Sequence, residues 1–394
     1  MKKIILSTLA ALTLSSVTLS ALELYQDTNG QVFTSPANGR TLIKDKSLSV
    51  FSHANKLKFS GLTYIGATAD DYKQSDKGTT AQMEIRRAYF QLKAYFLQDP
   101  KSYYRVTFDM SKDVTGDEKL RAKYAYIYLN EILPVTGVEI GLIHRPWHDY
   151  EEHDSWYFRS ISKILIEDSK SGPGLSNSAD FGFMFKTRTK YFDADYGLFN
   201  GEGYHAFQNP QAPASLSFEW RATTHLLGVN GRDKQTKKTY WDASFFGQYN
   251  MKHKNATIGT QKEDQDLIFG GLHTVFNMPS FLVSAQYVKS ENTSKIQNNI
   301  SQQAGSGYST NVEYRLGSDK KYSLLARYDS WTPDVVPIGQ ASTKQDKSYI
   351  VGSAWKENKN IQWIANAIIT DNEKGSKKEL NNGVAYMVTA RVNF

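Results

Sequence analysis

From about Lys56 to the last residue, apolar and polar side chains alternate with a period of two. In "RRAYFQLKAYF", Ala88, Phe90, Leu92, Ala94 and Phe96 alternate with Arg87, Tyr89, Gln91, Lys93 and Tyr95. "SLSFEWRA" sets Leu216, Phe218, Trp220 and Ala222 against Ser217, Glu219 and Arg221. Sixteen such segments can be counted, at about 56–67, 82–97, 103–112, 122–130, 138–146, 179–188, 192–199, 214–226, 238–250, 266–276, 281–290, 306–316, 321–330, 347–357, 361–370 and 383–394. After the second, fourth, tenth, twelfth and fourteenth the connection is short: "QDPKS", "LPVTG", "NMPS", "GSDKK", "ENKN". After odd-numbered segments it is mostly long and polar, as in "MKHKNATIGTQKEDQ" and "TDNEKGSKKELNN".

This pattern predicts an all-β fold: a transmembrane antiparallel up-and-down β-barrel of sixteen strands, with tight turns at one end and long loops at the other. A soluble sandwich buries its apolar face and wets its polar one. A wide membrane barrel reverses this, so apolar residues face outer-membrane lipid and charged ones face the lumen. Sixteen strands enclose more space than side chains fill, which predicts an aqueous channel. Closure leaves no sheet edge and satisfies the backbone inside the bilayer. The predicted inward wall carries Arg87, Lys93, Arg105 and Arg145. The chain stops inside its last segment, "GVAYMVTARVNF", as expected when the last strand pairs with the first. Phe394, with Tyr386 on the same face, resembles the C-terminal signal that such barrels present to the barrel-assembly machinery.

Composition sharpens the reading. The chain has 394 residues, 13% of them aromatic, yet only 40% are hydrophobic and mean hydropathy is −0.51. No later stretch offers the ~20 apolar residues of a membrane helix. "MKKIILSTLAALTLSSVTLSA" reads as a secretory signal peptide over 1–21: two lysines, a short apolar run, then small residues. Its removal takes Lys2 and Lys3 and no acid, so the formal charge falls from +7 to +5. Residues 22–55 are turn-rich and read as an N-terminal periplasmic segment, ahead of a pore domain at 56–394. There are no cysteines, so disulfides and thiolate metal sites are excluded.

The longest gap between segments is Trp147 to Ser178. A loop this long in a compact domain calls for a function. It is expected to fold into the lumen as the constriction. The residues "EIRRAYFQLKAYFLQDPKSYYRVTFDMSKD" (84–113), "VEIGLIHRPWHDYEEHDSWYF" (138–158), "SADFGFMF" (178–185) and "GLFNGEGYH" (197–205) resemble the phosphate-selective porin O/P family. The resemblance spans 84–205; beyond it only the barrel pattern persists. It implies a sixteen-stranded homotrimeric porin passing small ions and solutes by diffusion. The loop's acids depart from a phosphate path: Asp149, Glu151, Glu152, Asp154, Glu167 and Asp168 outnumber Arg159, Lys163 and Lys170. An acidic loop facing a basic wall predicts a transverse field, suited to general diffusion with at most weak anion preference.

Other classes find less support. An enzyme on a barrel needs a nucleophile beside a base; His225 and His273 are predicted inward, but no Ser/His/acid set can be placed. His144, His148 and His153 lie near acids at a spacing that fits no metal motif, so neither metal nor cofactor is expected. "NGEG" at 200–203 reads as a turn, since no helix pattern follows. Lysines are scattered and no basic helix occurs, which argues against nucleic acid. An adhesin or structural barrel acting through its outer loops is the alternative of another class.

Overall fold

The computed structural model describes residues 25–28, 32–33, 36–42, 54–73, 78–112, 115–201, 203–204, 216–232, 236–258, 261–292, 304–334, 344–376 and 378–394. The signal peptide expected at 1–21 lies outside them. The chain divides into two units, Met1–Ala54 and Asn55–Phe394. In the first, β1 (Tyr25–Asp27), β2 (Val32–Phe33) and β3 (Arg40–Leu42) form a small antiparallel sheet in the order β2-β1-β3. The sequence pattern had marked only turns there, because strands of two or three residues are too short to show a period.

The second unit is a closed antiparallel barrel of sixteen strands. They are β4 (Ala54–Tyr72), β5 (Thr79–Phe96), β6 (Tyr103–Lys112), β7 (Glu118–Leu133), β8 (Thr136–His144), β9 (Ala179–Arg188), β10 (Phe192–Phe199) and β11 (Leu216–His225), followed by β12 (Tyr240–Ile258), β13 (Gln261–Met278), β14 (Phe281–Asn292), β15 (Gly305–Leu316), β16 (Tyr322–Pro333), β17 (Asp346–Lys356), β18 (Ile361–Thr370) and β19 (Gly383–Asn393). Each of the sixteen predicted segments falls on one of them, in order. One predicted loop is instead strand: "MKHKNATIGTQKEDQ" extends β12 and β13 into a paired ribbon, from Lys254↔Gln265 to Ile258↔Gln261. A bulge interrupts the pairing between Asn250 and Lys254, and the Asp266 carboxylate accepts the Lys252 N–H there at 2.9 Å.

The faces sort as the alternation predicts. On β15, Tyr308, Val312 and Tyr314 are exposed outward, while Ser309, Asn311, Glu313 and Arg315 are buried inward. Aromatic rings gather outside the turn end. Tyr322 stacks on Trp355 at 6.4 Å, and the Trp363 indole donates to Glu357 in the β17–β18 turn at 2.8 Å. Rings with an apolar body and one polar handle suit an interfacial girdle.

The seam joins β19 to β4, from Gly383↔Tyr72 to Asn393↔Leu62. Phe394 extends it: its N–H donates to the Gly61 carbonyl (3.1 Å) and its carbonyl accepts from the Gly61 N–H (2.8 Å). Within the seam Gly66 has no room for a side chain, since a Cβ there would lie 2.4 Å from the Val388 carbonyl oxygen. Gly66→Val should therefore strain closure by about 1–3 kcal/mol. The check is the temperature at which the heat-resistant band on a detergent gel is lost. A lower temperature than wild type is expected.

Candidate functional site: the lumen and its loop

The connection between β8 and β9 does not lie outside the barrel. It opens with a helix, α1 (Pro146–Asp154), started by a proline whose missing N–H costs nothing at a first turn. Its side chains meet inward residues from all around the wall. Trp147 stacks on Phe246 of β12 at 3.6 Å. The Ser155 hydroxyl meets His273 of β13 at 3.1 Å, and Glu151 accepts from Gln286 of β14 at 2.7 Å. Arg327 of β16 lies over the Trp156 ring at 4.7 Å. Arg391 of β19 donates to the Tyr157 carbonyl (3.3 Å), and Arg86 of β5 to the Ser160 carbonyl (2.6 Å).

Much of this seat is apolar. Trp147, Tyr150, Trp156, Phe158, Ile161, Ile164, Leu165, Ile166 and Leu175 form one core with residues of the wall from β12 onward, among them Phe269, Val288, Leu325, Trp331, Ile350 and Ile364. Each such side chain buried is worth roughly 2 kcal/mol. Nine of them hold the loop far beyond thermal energy, so it is a packed body and not a flap.

The loop's root is pinned by Arg145. Its guanidinium reaches Asp180 (2.8 Å), Glu219 (2.9 Å), Gln248 (3.1 Å) and the Gly201 carbonyl (3.0 Å). Gly201 sits at φ +95°, where a Cβ would meet Asn250 at 2.4 Å, so the turn read at "NGEG" needs its glycine. Arg145 is 1% exposed and borders no cavity described below, which corrects its expected place on the basic wall. It points inward as the alternation requires, but Asp180, Glu219, Gln248 and the turn at Gly201 close around it.

Among the described residues, three cavities that share lining residues lie along the open part of the lumen. The outer one, about 580 Å³, is bordered by Arg86, Arg87, Arg159, Lys163 and Lys170 together with Asp70, Glu84, Asp168 and Asp329. The middle one, about 520 Å³, has Arg105, Lys123, Arg159 and Arg391 against the single acidic side chain Glu152, with Tyr64, Tyr89, Tyr124 and Tyr157 between them and the last residue, Phe394, at its border. The third, about 550 Å³ at the turn end, has Lys93, Arg105, Lys186, Arg188 and Arg232 against Glu139 and Asp149. Tyr64 and Arg159 border both the outer and the middle cavity; Gln91, Arg105, His144 and His153 border the middle and the last.

Three of the four predicted wall cations thus border the path. Arg87 pairs with Asp109 at 3.4 Å. Lys93 and Arg105 have no carboxylate within 4.0 Å among the described residues; Lys93 lies over the Tyr103 ring at 4.4 Å and Arg105 over Tyr124 at 4.9 Å. Lys123, missed in the sequence, is also unmatched: it donates to the Tyr89 hydroxyl at 3.1 Å. The ladder between β6 and β7 skips it, pairing Thr107 with Tyr124 and Phe108 with Ala122. The bulge turns both Lys123 and Tyr124 inward, which a strict period of two forbids. Arg86 is a similar case, because it and Arg87 both border the outer cavity.

The loop's acids do not oppose this wall as the transverse-field reading expects. Asp149 is taken up by Arg232 (2.8 and 3.1 Å) and Lys186 (3.3 Å); burial works against its charge, but these cations hold it well below the usual carboxylate range. Glu151 and Asp154 border none of the three cavities. Burial pushes Asp154 up to about 7 against Arg232 and Arg221. Glu152 alone of the four lines the middle cavity, paired to Arg159 at 2.8 Å.

Neither inward histidine builds a hydrolase. His225 is clamped between Asp242 (2.8 Å) and Asp193 (3.4 Å), and His273 meets Ser155 with no carboxylate on its other nitrogen. Among the described residues no cluster of histidines and acids could hold a metal ion.

Two outcomes test this arrangement. Arg145→Ala leaves Asp180 and Glu219 buried without their cation and should destabilise the barrel by about 3–5 kcal/mol, read from denaturant unfolding. Burial, only partly offset by Arg327, pushes Glu151 from 4.5 to about 8, and its second oxygen accepts no hydrogen bond of standard geometry. A carboxyl raised in the folded state keeps an extra proton there, so its stabilisation is present below 4.5 and lost as pH rises through about 8. The thermal midpoint should therefore fall between about pH 4.5 and about pH 8, and Glu151→Gln should flatten that fall.

No family model matches the chain, and no curated protein matches it. Solved structures do. An anion-selective porin from Comamonas acidovorans aligns with a TM-score of 0.62 at 10% identity, over 86% of this chain and 99% of that one. OmpT, an outer membrane protein of Vibrio cholerae solved in a trimer form, aligns at 0.59 and 13% identity, over 86% and 99%. Salmonella typhi OmpF, in complex with daunomycin, aligns at 0.57 and 10%, over 86% and 98%. At these identities the likeness establishes the sixteen-stranded porin fold.

Proposed function

We propose that this protein is an outer-membrane porin, a water-filled channel through which small polar solutes and ions diffuse passively, with a preference for anions. The observation that carries the reading is the side-chain charge balance of the middle cavity, where four cationic side chains meet one acidic side chain. A lumen lined by one sign of charge with low-dielectric walls raises the local concentration of the opposite ion. The outward apolar face and the ring girdle at the turn end support a lipid setting. Assembly into homotrimers is the reading favoured by the trimeric relative. The reading of Phe394 as an assembly signal is supported by its exposure at the turn end of the seam. The narrower phosphate-selective O/P reading rests on the resemblance over 84–205.

The test is the reversal potential of the purified protein in a planar bilayer under a KCl gradient. Chloride should permeate more readily than potassium. Added phosphate should reduce the chloride current only if the narrower reading holds. A potassium-selective or unselective pore would overturn the anion preference. Absence of conductance steps would turn attention to the adhesin reading.

A further inference from the structure

By composition the loop is acidic, yet the group it sets at the junction of the outer and middle cavities is a guanidinium. Arg159 and Tyr64 border both cavities. Across the passage stand Arg87 and Lys123, and Lys123 feels the charge of both Arg87 and Arg159.

Two loop carboxylates hold Arg159, and they hold it differently. Glu167 accepts a hydrogen bond from Nη2 at 3.0 Å through one oxygen, keeps the other at ion-pair distance (2.9 Å), and is itself buried and held by Lys163 at 3.4 Å. That side is fixed. Glu152 meets Nε at 2.8 Å without hydrogen-bond geometry, and its side chain keeps 15% of its exposure against 5% for Glu167. Nη1 has no protein partner among the described residues. A guanidinium offers five N–H donors in a fixed fork, so with Nε and Nη2 taken up this one still has donors left over at the junction.

We propose that Arg159 is the residue that sets charge selectivity in this channel, and that Glu152 is its built-in competitor for passing anions. An anion entering the junction meets Arg159 and displaces the contact with Glu152, the more exposed of its two carboxylates; when the anion leaves, Glu152 returns. Glu167 keeps the guanidinium in place throughout. Without Glu152 the anion would face a cation countered by Glu167 alone; without Arg159 it would face Glu152 itself. The two residues thus act with opposite sign although they form one ion pair. This assignment rests on the anion-preferring reading and names the residue within it.

The experiment is the chloride-to-potassium permeability ratio of Arg159→Gln, Glu152→Gln and Arg159→Lys, each from the reversal potential in a KCl gradient, beside wild type. Arg159→Gln should lower the ratio by about threefold or more, the effect of one unit charge acting over roughly 6 Å of water. Glu152→Gln should raise it, and Arg159→Lys should keep it near wild type. An unchanged ratio in Arg159→Gln, or a lowered one in Glu152→Gln, overturns the assignment while the porin reading stands. A wild type without chloride preference overturns the anion reading first. Should Arg159→Gln fail to give the heat-resistant band, the sign of the Glu152→Gln change decides.

Discussion

The pairing of β19 with β4 is the constraint on which the rest depends. It converts a run of hairpins into a cylinder, so that the strands leave no unpaired edge in an apolar surround. Once closed, sixteen strands enclose a space too wide for their own side chains to fill. The lumen must then be occupied by something else or by water. In this barrel it is divided between the two.

The division is uneven around the wall. On the side of β12 to β19, inward positions carry Phe246, Phe269, Val288, Leu325 and Ile350, and the loop's tryptophans and isoleucines pack on them. On the side of β5 to β9, inward positions carry Arg87, Lys93, Arg105, Lys123 and Lys186 among tyrosines, and the space stays open. Packing the loop into one side costs desolvation of its acids, and a buried carboxylate needs a partner or a proton. Asp149 has Arg232 and Lys186, and Glu167 has Arg159. The loop's negative charge is spent on its own anchorage, and the wall's positive charge is left facing water. An acidic segment thereby helps to make a basic passage.

The barrel was legible because its signal is repeated sixteen times, and an error at one strand leaves the others intact. The ends of strands were less legible. The ribbon of β12 and β13 is polar along its length, since a hairpin beyond the barrel has no apolar face to bury, so it reads as loop. The site was legible where the period of two is unbroken, at Arg87, Lys93 and Arg105. It failed at Lys123, where one inserted residue between β6 and β7 turns two neighbours to the same side. It failed differently at Arg145, whose direction was right and whose surroundings were not: a cation aimed inward lines a pore only if no other segment covers it.

What the sequence alone determined, then, is the number and order of the strands, the sense in which their faces point, and the presence of a long acidic insertion after the fifth. These follow from local periodicity, because a strand's faces alternate wherever it lies. Only the tertiary structure decided which inward charges meet water. That depends on contacts between residues far apart in the chain, such as Trp147 with Phe246 or Asp149 with Arg232, and on a bulge that shifts one register by one residue. The charge a solute meets is a sum over such pairings, and no count of acids and bases along the chain contains it.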